Sequence, residues 1–139
     1  MAEDNDPGAC VDDWIESTAR GLPVDLLVDV FHQAFDALWQ RASLTLGDVT
    51  LMAIVDRVLY NAAERFPQLA SLKVESAGIR MEALRERAAA LSADDLISAI
   101  RFALVEFLRV LGNLTADILT QALYAELAKV TVAREESNG

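Results

Sequence analysis

The residues best placed to do chemistry surround the only histidine of the chain, His32. Asp29 lies three residues before it and Asp36 four residues after it. On a helix these spacings bring side chains onto one surface, where they could bind a metal ion or accept a phosphoryl group. A solvated helix face with local ion pairs is the simpler interpretation. We therefore expect His32 to be exposed and non-catalytic.

Phosphoryl transfer is an alternative use of the same histidine. Small acidic helical bundles with one exposed histidine include the histidine phosphotransfer domains. Those modules place a lysine and small residues just after the histidine, whereas Gln33-Ala34-Phe35-Asp36 follow His32 here. Because acids beside a phosphohistidine repel it, this alternative is less favoured.

No other set of residues predicts catalysis or cofactor binding. The di-iron motif Glu-x-x-His is absent, and one histidine cannot supply two such sites, so Asp25, Asp29, His32 and Asp36 do not predict a metal centre. Walker, dinucleotide-binding and Gly-x-Ser-x-Gly motifs are also absent. We expect no enzyme activity, no catalytic residue, no metal and no cofactor.

Composition narrows the class of protein. The 139 residues include 22 acids and 12 bases, a net charge of −10, yet 53% of residues are hydrophobic. Disordered chains combine high charge with low hydrophobicity, so a folded domain is expected. Nucleic acid is a disfavoured partner, because binding phosphates requires clustered Lys and Arg.

The location of the protein is predicted from its single cysteine and its first residues. Cys10 has no partner for an intrachain disulfide, which favours a reducing compartment. The first residues are acidic, where a signal peptide carries bases before an apolar run. Charge-free stretches such as 49–55 and 118–125 are too short to span a bilayer. A cytoplasmic protein without a transmembrane segment is expected.

Apolar periodicity and helix-breaking residues predict an all-α fold. The predicted helices are a short one at 12–20 and longer ones at about 23–42, 48–66, 79–91, 92–112 and 114–132, with an irregular connection at 68–78. We expect an antiparallel bundle of four long helices plus the short N-terminal helix. The predicted domain is 11–132, between a flexible acidic leader at 1–10 and a frayed tail at 133–139.

The helix predicted at 92–112 carries more apolar surface than one core requires. Ile97, Ile100, Leu104, Phe107 and Leu111 form a seam with spacings of three and four residues. Apolar residues outside that seam need another cover and form a candidate interface: Leu96, Ala103, Leu108 and Val110. A second copy of the chain would cover them, so the pattern predicts a homodimer.

Two functions from different classes fit these features. The favoured one is a non-catalytic regulatory or protein-interaction module, homodimeric, with a further protein partner and a role in signalling. Its candidate exposed surface consists of His32, Asp29, Asp36, Phe35 and Trp39. The alternative is a small-molecule sensor that encloses an apolar ligand in a pocket between helices.

Overall fold

The fold is helical through most of the chain. A computed structural model describes residues 6–75, 78–87 and 90–130. These ranges contain six α-helices, which are α1 (Pro7–Trp14), α2 (Val24–Leu46), α3 (Asp48–Arg65), α4 (Glu82–Arg87), α5 (Ala93–Leu114) and α6 (Thr120–Ala128). A π-helical turn (Ile15–Ala19) extends α1, a 3₁₀ segment (Pro67–Ser71) follows α3, and β1 (Lys73–Glu75) pairs with β2 (Gly78–Arg80). The all-α class is confirmed, with one small sheet in addition.

Helix α5 is the centre of the hydrophobic core. It contacts α1, α2, α3 and α6. Ile100, Leu104 and Leu111 of the predicted seam are buried, and Phe107 is also buried, against α2. A helix covered on several sides buries apolar residues around most of its circumference, which explains its apolar sequence.

Two predicted helix boundaries agree closely with the structure. The hydroxyl of Ser92 accepts a hydrogen bond from the backbone N–H of Asp95 at 3.1 Å and caps α5. Helix α3 ends at Arg65, next to Phe66 and Pro67. Proline disfavours helical geometry in the preceding residue, so the end of α3 follows directly from the sequence.

The segment predicted as an irregular connection and then a helix forms a β-hairpin instead. Val74 faces Ile79 across the antiparallel pair, and α4 is only six residues long. Ile79 is buried while Arg80 is exposed, the alternation expected of a strand with one face on a core. The local preference of these β-branched residues for strands outweighed the helical spacing.

The last helix is shorter than predicted. Helix α5 continues through Gly112 to Leu114, and a turn at 115–119 precedes the nine residues of α6. A Cβ added at Gly112 would lie 3.0 Å from Asp117 Oδ1, so this glycine permits close approach of the turn rather than ending the helix. Only α2, α3 and α5 are long among the described helices, so a bundle of four long helices is not confirmed.

The predicted leader is helical where the structure describes it. Asp6 Oδ1 accepts a hydrogen bond from the N–H of Gly8 at 3.0 Å, and α1 starts at Pro7. Val11 and Trp14 are buried, and Arg101 Nε of α5 donates to Asp12 Oδ1 at 2.6 Å. Helix α1 therefore includes residues 7–10 of the predicted leader. Residues 1–5 and the predicted tail at 133–139 lie outside the described residues.

Candidate binding sites

A groove beside His32 combines charged and apolar side chains from three parts of the fold. We call it the His32 groove. It is lined by His32 of α2, Glu75 of β1, Ile79 and Arg80 of β2, and Glu82 and Arg85 of α4. Its volume is about 460 Å³. Only α2 was expected to contribute, because the two arginines lie about fifty residues further along the chain.

Carboxylates pair with both arginines of the His32 groove. Arg80 donates to Glu82 at 3.1 Å and to Glu75 at 3.2 Å, and Arg85 pairs with Asp29. The hydrogen bonds that Arg80 donates to Glu82 and Glu75 raise the pKa of Arg80, and the bond that Glu82 accepts from Arg80 lowers the pKa of Glu82. Asp29, predicted as exposed, is half-buried by its contact with α4.

This pairing decides what the groove can do. Arg80 and Arg85 would be natural ligands for a phosphoryl group on His32, and they supply the positive charge that the residues after His32 lack. Each guanidinium already donates to a carboxylate, however, so a phosphoryl group would compete with Glu75, Glu82 and Asp29 for the positive charge of the two arginines. The paired carboxylates therefore make the groove less favourable for a phosphoryl group than two unpaired arginines would be.

Two residues of the predicted exposed surface are buried. Phe35 and Trp39 keep only 2% and 3% of their surface, whereas Asp36 is exposed and His32 is half-buried. Phe35 stacks on Phe107, and Trp39 donates its indole N–H to Asp48 Oδ1 at 3.2 Å. The prediction of exposure was wrong for both aromatics, because the hairpin, α5 and α6 also pack on α2.

The predicted interface on α5 lies mostly inside the chain. Leu96, Ala103 and Leu108 are buried by the chain's own helices, and Val110 is half-buried. The single chain therefore covers these apolar side chains without a second copy, except at Val110.

Large exposed apolar side chains occur instead near two helix–helix turns. Leu114 ends α5 and is 58% exposed, and Ile118 lies in the following turn and is 80% exposed. Leu44 and Val49 flank the turn between α2 and α3 and are 80% and 83% exposed. In the sequence, Ile118 has the helical spacing of a buried apolar face with Leu119, Ala122 and Leu123, so its exposure is contrary to that pattern.

A second cavity, which we call the α1–α6 pocket, has a volume of about 370 Å³. It is lined by Cys10, Trp14 and Ser17 on one side and Tyr124, Leu127 and Ala128 on the other. Burial and the nearby charge of Asp13 raise the pKa of Cys10 to about 11. Burial also raises the pKa of Tyr124 to about 12. Both groups therefore keep their protons at neutral pH.

The described residues contain no cluster of three or more His, Cys, Asp or Glu side chains that could hold a metal ion. Within the same ranges, no helix combines the length and the hydropathy needed to cross a bilayer.

Comparison with known proteins supplies no relative: no protein-family model matches the chain, and no significant match was found among curated proteins or solved structures.

Proposed function

We propose that the protein is a non-catalytic interaction module that pairs with a second copy of itself and binds a further protein. The observation that supports pairing is a strip of apolar side chains, Val110, Leu114 and Ile118, which we call the α5 terminal strip. Val110 and Leu114 are one helical turn apart, and Ile118 follows in the turn. Burying such a side chain contributes about 1.5–3 kcal/mol.

A two-fold axis is the commonest way to cover such a strip, because each copy then buries the same residues. The proposed contact differs in position from the one predicted from sequence. Leu96, Ala103 and Leu108 serve the core of one chain. The strip extends from Val110 past the end of α5.

Light scattering of the full chain at tens of micromolar tests the pairing. The wild type is expected to have twice the mass of one chain, and Leu114→Glu with Ile118→Glu to have the mass of one. Leu44→Glu with Val49→Glu is the matched control, because these residues are at least as exposed as Leu114 and Ile118 and receive the same charge. A monomeric wild type, or equal dissociation of both variants, contradicts the proposal.

The His32 groove is the proposed site for the second protein. It contains Glu75 and Glu82 beside Arg80 and Arg85, with Asp29 paired to Arg85. Asp36 borders it through an adjoining cleft at His32 and Ile79. Four carboxylates against two guanidinium groups favour a segment with Lys or Arg side chains.

A labelled peptide of alternating Lys and Leu probes this site by fluorescence anisotropy. Asp36→Asn with Glu82→Gln is expected to weaken binding several-fold. Asp56→Asn with Glu64→Gln makes the same change in net charge on exposed positions of α3 and is expected to weaken it less. Equal weakening by both pairs would show attraction to the whole acidic surface, and the site would be rejected.

A further inference from the structure

The outer edge of β1 offers unpaired backbone groups. In the hairpin, Glu75 faces Gly78 and Val74 faces Ile79. Only two residues separate Glu75 from Gly78, so this pair exchanges the hydrogen bonds that close the hairpin. Bonded and non-bonded pairs alternate along antiparallel strands, so the N–H and C=O of Val74 point away from β2. Within the described ranges, no other element forms a backbone hydrogen bond with Val74.

A groove lies between this edge and α3, and we call it the α3–β1 groove. Its volume is about 700 Å³, larger than that of the His32 groove or the α1–α6 pocket. One wall extends along α3 from Ala53 to Ala63, and the other from Leu69 to Val74. Ten residues of helix rise about 15 Å, the length of about four to five residues of extended chain. The groove therefore matches a short strand in length.

The charges of the groove favour an acidic occupant. Arg57 of α3 and Lys73 of β1 line it together with the carboxylate of Asp56. Both bases are exposed, and neither forms an ion pair with any residue that the structure describes. They stay available to a ligand although the chain as a whole has a net charge of −10. Complementary charge then selects a partner with carboxylates.

From the open strand edge and the two unpaired bases we infer that the α3–β1 groove binds an extended acidic segment of a partner protein, which adds to β1 as an antiparallel strand. In this mode of recognition, main-chain hydrogen bonds provide affinity and alternate side chains provide specificity. The groove shares no lining residue with the His32 groove or the α5 terminal strip, so the inference does not depend on the proposed function.

The register of the added strand follows from Val74. A residue directly opposite Val74 exchanges both hydrogen bonds with it and places its side chain on the same face. Val74 packs on the core, whereas Lys73 and Glu75 are exposed. We therefore expect an apolar residue opposite Val74, an acidic residue opposite Lys73 and an uncharged residue opposite Glu75.

The probe is the capped peptide Thr-Val-Glu-Val-Glu, which carries a neutral nitrobenzoxadiazole label, and fluorescence anisotropy measures its binding to the full chain. Two N-methylated forms are the matched controls, because they keep every side chain and charge. Methylation at both Val residues removes the N–H groups that face β1 and is expected to weaken binding by about tenfold or more. Methylation at both Glu residues removes those of the opposite edge and is expected to preserve binding.

Charge variants of the protein locate the site. Arg57→Gln with Lys73→Gln is expected to weaken binding several-fold. Arg87→Gln with Lys129→Gln makes the same change in net charge at exposed positions outside the groove and is expected to weaken it less. Equal weakening by both pairs would show attraction to total charge and would reject the groove.

A backbone variant tests the edge itself. Val74→Pro removes the outward N–H without removing a bond to β2 and is expected to abolish binding, whereas Val74→Thr keeps the N–H and is expected to preserve it. Circular dichroism checks that both variants fold. Should Val74→Pro unfold, the methylated peptides still decide the question on the wild type.

The inference is overturned if the wild type does not bind the peptide, or if the two methylated peptides bind equally. It is also overturned if the peptide binds only after residues 131–139 are deleted, because the chain's own end would then be the occupant.

Discussion

Phe35 of α2 and Phe107 of α5 stack face to face, with ring centroids 4.8 Å apart and ring planes 8° from parallel. Phe31, one turn before Phe35, approaches the same ring edge-on at 5.3 Å. Offset and edge-on contacts between aromatic rings stabilise a core beyond the area that they bury. This cluster joins two of the three long helices at the middle of the molecule.

Replacing Phe107 by alanine should therefore be one of the most damaging single changes. We expect Phe107→Ala to lower the free energy of unfolding by about 3–5 kcal/mol, because it leaves a cavity beside Phe35. Phe102→Ala on the same helix is the comparison, since Phe102 is only half-buried and should cost less. Urea denaturation measures both, and equal losses would contradict the central role of the stack.

Ala116 occupies a backbone conformation that suits glycine. Its φ is 52°, and the N–H of Asp117 donates to the carbonyl of Gly112 at 2.8 Å, the bond of a Schellman turn after α5. Left-handed geometry costs an L-residue roughly 1–2 kcal/mol, and glycine avoids this cost. Glycine also gives the unfolded chain more conformational entropy, which lowers stability by about 0.4–1 kcal/mol.

We thus expect Ala116→Gly to raise the free energy of unfolding by up to about 1 kcal/mol. Ala53→Gly, at an exposed position within α3, should lower it by about 0.5–1 kcal/mol. Thermal or urea unfolding gives both values. A loss of stability in Ala116→Gly would show that the turn is not strained.

Ser92 is expected to contribute to stability through its cap. Ser92→Ala removes the acceptor for the N–H of Asp95 and should cost about 0.5–2 kcal/mol. Ser98→Ala, at an exposed position inside α5, should not lower the free energy of unfolding, because alanine is the better helix former. Similar effects at the two serines would mean that the cap is not formed in solution.

Cys10 should be a slow nucleophile despite its position near the start of the chain. Because its pKa is raised to about 11, only a small fraction is thiolate at pH 8, and we expect slow reaction with 5,5′-dithiobis(2-nitrobenzoic acid) that accelerates up to about pH 11. Asp13→Asn removes a contributing charge and should increase the rate at pH 8. The matched change Glu16→Gln should leave the rate at pH 8 unchanged. An equal increase in both variants would show that the net charge of the protein, and not Asp13, controls the rate.

The same shift predicts how stability depends on pH. The unfolded thiol loses its proton near its ordinary pKa of 9.0, while the folded thiol retains it until about 11. The folded state then binds more protons, so stability falls as pH rises through this interval and is fully present below it. Cys10→Ala should remove this part of the pH dependence.

The sequence predicted those parts of the fold that depend on neighbouring residues. The cap at Ser92 and the end of α3 before Pro67 follow from local rules. The hairpin is not predicted, because its strands at Val74 and Ile79 are three residues long, too short for an alternating apolar pattern to mark them. The helix predicted at 92–112 ends two residues before α5 does, because the role of Gly112 depends on the approach of Asp117, which no local rule predicts.

The candidate sites were less predictable than the helices. His32 was recognised as the only histidine, but Arg80 and Arg85 reach it through pairing of the hairpin and packing of α4. Phe35 and Trp39 were assigned to the surface because the periodicity of α2 alone does not reveal how many elements cover it. The pocket at Tyr124 depends on contact between α1 and α6, which no local pattern contains.

The hydrogen bond from Trp14 to Val130 connects positions 116 residues apart. The entropy lost in closing a loop grows with its length, so this contact should form late in folding, after α2, α3 and α5 have brought the two segments together. We expect this contact to couple α1 to the segment that follows α6. In hydrogen exchange, amides of α1 and α6 should then open together, before those of α5.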